Sequence, residues 1–262
     1  MSEDYVLGTH DEEIARLGLQ HRVWRRRALD AWLEAGFTAG QTLLDVGCGP
    51  GYATADLAEI GERVVAIDRS TRFLDVLRSR QLRNVSVFEL DLDDDAFPSL
   101  QADGAWARWV FSFVTKPWNL LRRVRGAMKR GGTFVVQEYF DYRTWRMTPR
   151  AEHFEGFVDA VMASWRAEGG EPDIALDLLR WFPDEGFRVK RVRPIVEIIT
   201  PEHFIWQWPR SFINTGVDRL VQLGRLSAED AQSIKAQFAE RESDPTTRMV
   251  TPAVLEIIAE AI

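Results

Sequence analysis

The 262-residue sequence predicts a doubly wound α/β fold, a mainly parallel sheet with helices on both faces. Three observations carry this. Short apolar runs alternate with amphipathic stretches through the first half of the chain. The first run, Leu43-Leu-Asp-Val46, opens into a glycine turn, Gly47-Cys-Gly-Pro-Gly51. Acids recur at the strand ends, Asp68 and Asp91 after Asp45, which is where such sheets meet ligands.

The elements follow in order. Two amphipathic helices open the chain. Asp11 to Gln20 places Ile14 and Leu17 on one face, and His21 to Ala35 carries Trp24, Ala28 and Trp32 at four-residue spacing before Gly36 stops it. Alternation then predicts strand 42–46, helix 51–60, strand 63–68, helix 70–80, strands 85–89 and 103–108, helix 117–130 and strand 133–138. Lys129-Arg-Gly-Gly132 reads as a helix end and turn. Arg188 to Ile199 predicts a sixth strand. Arg248 to Ile258 predicts a seventh, with a helix as the alternative for its apolar tail. Segments 141–186 and 200–246 read as mainly helical insertions. The organisation is thus an N-terminal helical cover (1–40), a core (41–140), two lid insertions (141–186 and 200–246), a sixth strand (187–199) and a seventh with the C-terminus (247–262).

Composition narrows the function. An apolar share of 45% suffices for a full core, and a net charge of −7 disfavours a general nucleic-acid binder. The single Cys48 allows no internal disulfide, which fits a reducing, cytoplasmic setting. No run approaches the ~18 apolar residues of a membrane span, and the acidic opening Met1–Tyr5 lacks a signal-peptide core. The four histidines and one cysteine show no metal-ligand spacing, so no metal is expected. Oligomeric state is not legible.

The turn specifies its ligand class. Glycines let the backbone approach a ligand closely, and the helix after them offers free N–H groups. A dinucleotide fingerprint would need glycine at position 52, where Tyr52 stands, so a nicotinamide oxidoreductase is disfavoured. The pattern Asp45-x-Gly47-x-Gly49-x-Gly51 resembles motif I of the class I S-adenosylmethionine-dependent methyltransferases, and the resemblance runs over roughly the first 140 residues. It implies a Rossmann-like seven-stranded sheet with an antiparallel last strand, S-adenosylmethionine as cofactor and S-adenosylhomocysteine as product. It also implies roles for individual residues. Gly47, Cys48, Gly49 and Gly51 would line the turn, and Asp45 would lie near the methionine amino group. Asp68, with Arg69 beside it, would bind the ribose. Asp91 would accept the adenine amino group next to the Leu92 backbone, with Asp93 as the alternative acid. Arg108 is a candidate partner for a carboxylate. Tyr5-Val-Leu-Gly8 with Glu13, Arg16 and Gln20 resembles the N-terminal cover of a subset of small-molecule methyltransferases, in which Tyr5, Arg16 and Gln20 could touch the ligand.

The acceptor side is expected among the aromatics of the insertions. Trp206, Trp208, Arg210 and Phe212, in the densest mix of aromatic and polar groups, are candidate pocket residues with Trp109 and Tyr139. Trp165 and Trp181 read as lid packing. Methyl transfer needs alignment above all. An oxygen acceptor gains from a base, for which Glu138 and His203 are candidates with His153 behind them. The expected activity is methylation of an oxygen or nitrogen of a small, partly hydrophobic molecule. The alternatives are a cofactor-binding protein that transfers nothing and a methyltransferase acting on protein.

Overall fold

The computed structural model describes residues 11–262. Tyr5 and its neighbours lie outside the described residues. The chain forms α1 (Asp11–Glu34), β1 (Thr42–Val46), α2 (Tyr52–Ile60), β2 (Arg63–Asp68), α3 (Thr71–Ser79), β3 (Val85–Glu89), β4 (Ala102–Arg108), α4 (Pro117–Ala127) and β5 (Met128–Asp141). There follow β6 (Arg146–Thr148), α5 (Glu152–Ala167), α6 (Ala175–Asp184), β7 (Phe187–Ile195), β8 (Ile198–Ile199), α7 (Gln207–Gln222), α8 (Ala228–Ser243), β9 (Arg248–Val250) and β10 (Ala253–Ala261).

Seven strands form one sheet in the order β3-β2-β1-β4-β5-β10-β7, with β10 antiparallel to both neighbours. Register brings the functional ends together. Val46 lies beside Ile67 and Ala107, Asp68 beside Glu89, and Arg108 beside Gln137. The order reverses at β1 and β4, so a crevice opens beyond these ends. The strands β1, β2, β4 and β5 are apolar and buried, as a sheet covered on both faces requires.

Several elements differ from the sequence expectation. The two opening helices are one, because nothing between Gln20 and His21 breaks the backbone pattern. Gly18 lets this helix lie close on the start of α2, since a Cβ there would meet the Tyr52 ring at 2.9 Å. Helix α4 ends at Ala127 and β5 begins at Met128. Met128 pairs with Ala102 and Thr133 with Gly104, so the residues between bulge out, with Gly131 at φ +83°. The expected seventh strand is two, interrupted at Thr251-Pro252, where proline cannot donate to a ladder. Its apolar tail is strand throughout. The expected sixth strand is likewise two, and β9 joins β6 and β8 in a separate three-stranded sheet.

Of the segment 141–186, α5 joins α7 and α8 in a bundle whose core includes Trp145, Phe154, Phe157, Phe212 and Phe238. Helix α6 instead packs on the main sheet beside α4, its Leu178 and Phe182 sharing a core with Leu120 and Phe134. The bundle forms a roof whose Trp165, Trp208 and Phe212 line a pocket with Trp109 and Tyr139, and α1 contacts both α7 and α2. Among the described residues no helix is long and apolar enough to cross a membrane.

Candidate active site

The glycine turn is built for close approach. Gly47, Gly49 and Gly51 have φ of +66°, +53° and +79°, a region that glycine enters without strain. Their surroundings differ. A Cβ on Gly47 would lie 2.5 Å from Val110 Cγ2, and one on Gly51 would lie 2.3 Å from Leu77 Cδ1. A Cβ on Gly49 would meet nothing within 4 Å, because it would point into the open cleft that Gly49 lines. Cys48 is buried and burial pushes its thiol up, so its backbone is what serves the turn.

Asp68 ties this turn to the next strand. Its Oδ2 accepts from Gly49 N at 2.8 Å and its Oδ1 from Ser70 N at 2.9 Å. Burial raises its pKa against the pull of those N–H groups. A carboxylate has about four lone-pair positions, so acceptor capacity remains for hydroxyls. Asp91 is exposed at the rim, its Oδ1 accepting from Asp93 N at 2.9 Å. Asp93 turns the other way, accepting from Thr115 N and Lys116 N at 2.8 and 2.9 Å to anchor the loop before α4. With Arg69 and Leu92, these residues line a cleft of about 880 Å³, within the size range of small-molecule sites.

Arg108 enters the same cleft from the end of β4. Its guanidinium lies over the rings of Trp106 and Trp109, 5.5 and 5.2 Å from their centroids. Its Nη2 stands 3.4 Å from His21 Nδ1, while the buried Nη1 has no partner. Burial lowers its pKa to about 10 against the attraction of Asp45, so it is still a cation at neutral pH. Asp45 lies beneath the turn, accepts from Thr54 Oγ1 at 2.6 Å and is pushed up to about 7 by burial.

A second, aromatic pocket adjoins the cleft. Trp109 has φ +52°, a conformation that costs a bulky residue about 1–3 kcal/mol. Its backbone N–H donates to Gln137 O at 3.0 Å, and its ring stacks on Tyr139 and Trp208 at 5.4 and 5.5 Å. Trp24 of α1 closes on both tryptophans edge-on, at 5.1 Å in each case. The pocket is lined by Tyr139, Tyr142, Trp165, Trp208 and Phe212 among others, with Arg16 at its polar side. Gln20, Trp109 and Phe113 line both cavities. The free space in the aromatic pocket is only about 30 Å³.

The sequence candidates are thus divided. Gly47, Gly49, Asp68, Arg69, Asp91, Leu92 and Arg108 line the cleft, with Asp45, Cys48 and Gly51 behind its lining, and Trp109, Tyr139, Trp208 and Phe212 line the aromatic pocket. Trp206 is turned away, its Nε1 donating to Glu242 Oε1 at 2.7 Å. Arg210 is exposed beside that same carboxylate at 3.5 Å. His203 is exposed at a helix start, its Nδ1 accepting from Ile205 N. Glu138 is fully buried and lines neither cavity; its Oε1 accepts from Val110 N at 2.5 Å and Phe111 N at 2.7 Å. Burial pushes it up to about 7. Trp165, expected as lid packing, lines the pocket. Sequence reasoning missed His21, whose signal was its place on the buried stripe of Trp24, Ala28 and Trp32.

Known proteins resemble this chain in sequence and fold. Residues 44–136 match the model of the methyltransferase domain. A demethylmenaquinone methyltransferase of Tropheryma whipplei is 33% identical over 123 residues, 46% of this chain and 50% of that protein. A cypemycin N-terminal methyltransferase of Streptomyces is 38% identical over 97 residues, 36% and 40% of the two chains. The chain spans about half the length of the first of these relatives and less of the second. Two crystal structures share the fold. A protein of Bacillus halodurans C-125 assigned as a methyltransferase superposes with TM-score 0.60 at 15% identity, covering 88% of this chain and 97% of its own. An S-adenosylmethionine-dependent methyltransferase of Mesorhizobium loti gives 0.51 at 17%, covering 86% and 92%. The cleft thus brings together a buried cation, a strand-end acid and an open glycine turn. The chain carries a methyltransferase domain over residues 44–136, on the fold of the S-adenosylmethionine-dependent methyltransferases.

Proposed function

We propose that this chain methylates an oxygen or nitrogen of a small, partly hydrophobic molecule carrying a flat ring. The observation that carries the proposal is the wall of Gln20, Trp109 and Phe113, common to the cofactor cleft and the aromatic pocket. Donor and acceptor would meet at the edge of these residues, where the two cavities adjoin, once the aromatic rings part to widen the pocket beyond its about 30 Å³; that contact is the proximity methyl transfer requires. The stacked indoles and phenols favour a ring substrate over a peptide end, and so the kind of substrate named by the demethylmenaquinone relative over that named by the cypemycin one.

The residues that would hold the cofactor follow from the site. Asp68 would take the ribose hydroxyls, Asp91 and the Leu92 backbone the adenine, Arg108 the methionine carboxylate, and Asp45 the field of the ammonium from below. Bound there, S-adenosylmethionine supplies a methyl group activated by its sulfonium. The rings of the pocket exclude water around the acceptor. No Asp, Glu or His lines the described part of that pocket. The acceptor would therefore enter as a neutral amine or with a hydroxyl acidic enough to ionise unaided.

The test is methyl transfer from radiolabelled S-adenosylmethionine to a panel of ring phenols and ring amines. Turnover that Trp109→Ala abolishes, with cofactor affinity within about tenfold of the parent, is the expected result. Cofactor binding with no turnover on any small acceptor, or turnover on protein acceptors alone, would overturn it.

A further inference from the structure

The cover helix contributes a charge relay to the cofactor cleft. Asp56 of α2 receives Arg25 through Nε at 2.9 and 3.1 Å and Nη2 at 3.0 Å, and it also meets His21 Nε2 at 3.0 Å. On its other side His21 Nδ1 faces Arg108 Nη2. A guanidinium only donates, so Nδ1 has to present its lone pair and the ring proton has to sit on Nε2, facing Asp56. His21 is thereby held neutral in one tautomer. Burial, joined by the charges of Arg108 and Arg25, lowers its pKa against the pull of Asp56. The groups facing His21 are Arg25 on its own helix, Asp56 and the Tyr52 ring of α2, and Arg108 of β4. Burial alone would raise Asp56, but His21 and Arg25 outweigh it and keep the carboxylate charged.

The chemistry of this arrangement is selective. A carboxylate at position 21 would neutralise Arg108 and compete with any anionic ligand. An apolar residue there would leave Nη2 as unsatisfied as Nη1. A neutral imidazole, polarised by Asp56 behind it, fixes one edge of the guanidinium and leaves its charge for a ligand.

We infer that His21 is a positioning residue for carboxylate recognition: Asp56 and His21 hold Arg108 so that its unpartnered Nη1 meets the carboxylate at the amino-acid end of the cofactor. This rests on the reading of Arg108 as the carboxylate partner, and the test separates the two. Titration calorimetry compares S-adenosylhomocysteine with its decarboxylated analogue, which keeps the amine, ribose and adenine. Arg108→Met weakens S-adenosylhomocysteine about 30-fold and leaves the analogue within about twofold. His21→Phe weakens S-adenosylhomocysteine about fivefold, again sparing the analogue. His21→Asn keeps an acceptor toward Arg108 and restores most of that loss. If Arg108→Met weakens both ligands alike, or neither, the carboxylate reading falls and the inference with it. If Arg108→Met is selective but His21→Phe weakens both ligands equally or not at all, Arg108 stands and His21 is only a packing residue. Should His21→Phe fail to fold, Asp56→Asn reads the same relay, and equal weakening of both ligands there overturns it.

Discussion

At the scale of single residues, chemistry and support are divided between look-alike acids. Asp68 holds Gly49 and Ser70 in place while facing the cleft, so Asp68→Ala would remove both the contact proposed for the ribose and the tie that shapes the turn. Its affinity for S-adenosylhomocysteine should fall at least about 30-fold by calorimetry. Glu138 lies at the same sheet edge but is occupied by the Val110 and Phe111 N–H groups. Its folded pKa, about 7, lies above the ordinary 4.5. The folded state therefore holds this proton more tightly than the unfolded state. Its contribution to stability is full below about pH 4.5 and is lost as pH rises through 7, by about 3 kcal/mol for a shift of this size. Glu138→Gln keeps an acceptor for the N–H groups and removes the titration. Its unfolding free energy should vary less between pH 5 and 8 than that of the parent, which Asp45, raised in the same direction, leaves sloping in both. A parent and variant with parallel pH profiles would show that Glu138 is ionised in the fold. The sequence placed Glu138 at a strand end, but which way its carboxyl turns depends on the backbone of a different strand's loop. The position of Asp68 at the cleft was legible because it is local to one strand end and one turn.

At the scale of elements, the glycine turn separates two kinds of requirement. Gly51→Ala combines φ +79° with a Cβ 2.3 Å from Leu77, so it should destabilise by about 1–3 kcal/mol and lower the melting temperature. Gly49→Ala meets no neighbour and carries only the strain of φ +53°, about 1 kcal/mol. Its methyl group would occupy the cleft, so cofactor affinity should drop much further than melting temperature does. Calorimetry and thermal unfolding of the two variants check the contrast, and equal loss of affinity per degree of melting would contradict it. The turn was readable from sequence because three alternate glycines encode a local backbone path. The sheet of β6, β8 and β9 was not: Met249 pairs with Met147 and Ile199, and nothing local marks partners so distant in the chain. Trp206 and Arg210 were misjudged for a related reason. They share a segment with Trp208 and Phe212, but the turn of α7 sends them toward Glu242 of α8 rather than inward.

At the scale of the whole molecule, two cores meet at one wall. The sheet core and the roof core each bury their own aromatics, and Trp109 stands where they adjoin, in a strained backbone conformation that its ring contacts hold. The alternation of strands and helices made the sheet core legible. The roof was visible only as a surplus of aromatics, since its packing is decided by three helices and α1 together. The three indoles of Trp24, Trp109 and Trp208, one pair nearly parallel and two pairs edge-on, are close enough for their electronic transitions to couple. The protein should therefore show an exciton couplet in its circular dichroism, and Trp208→Phe should remove most of it; an unchanged spectrum would mean that the rings are not so arranged in solution. Any ligand that parts Trp109 from Trp208 would alter that couplet in the native chain. The indole cluster would thus also be an intrinsic optical label, through which filling of the aromatic pocket could be followed without attaching a dye.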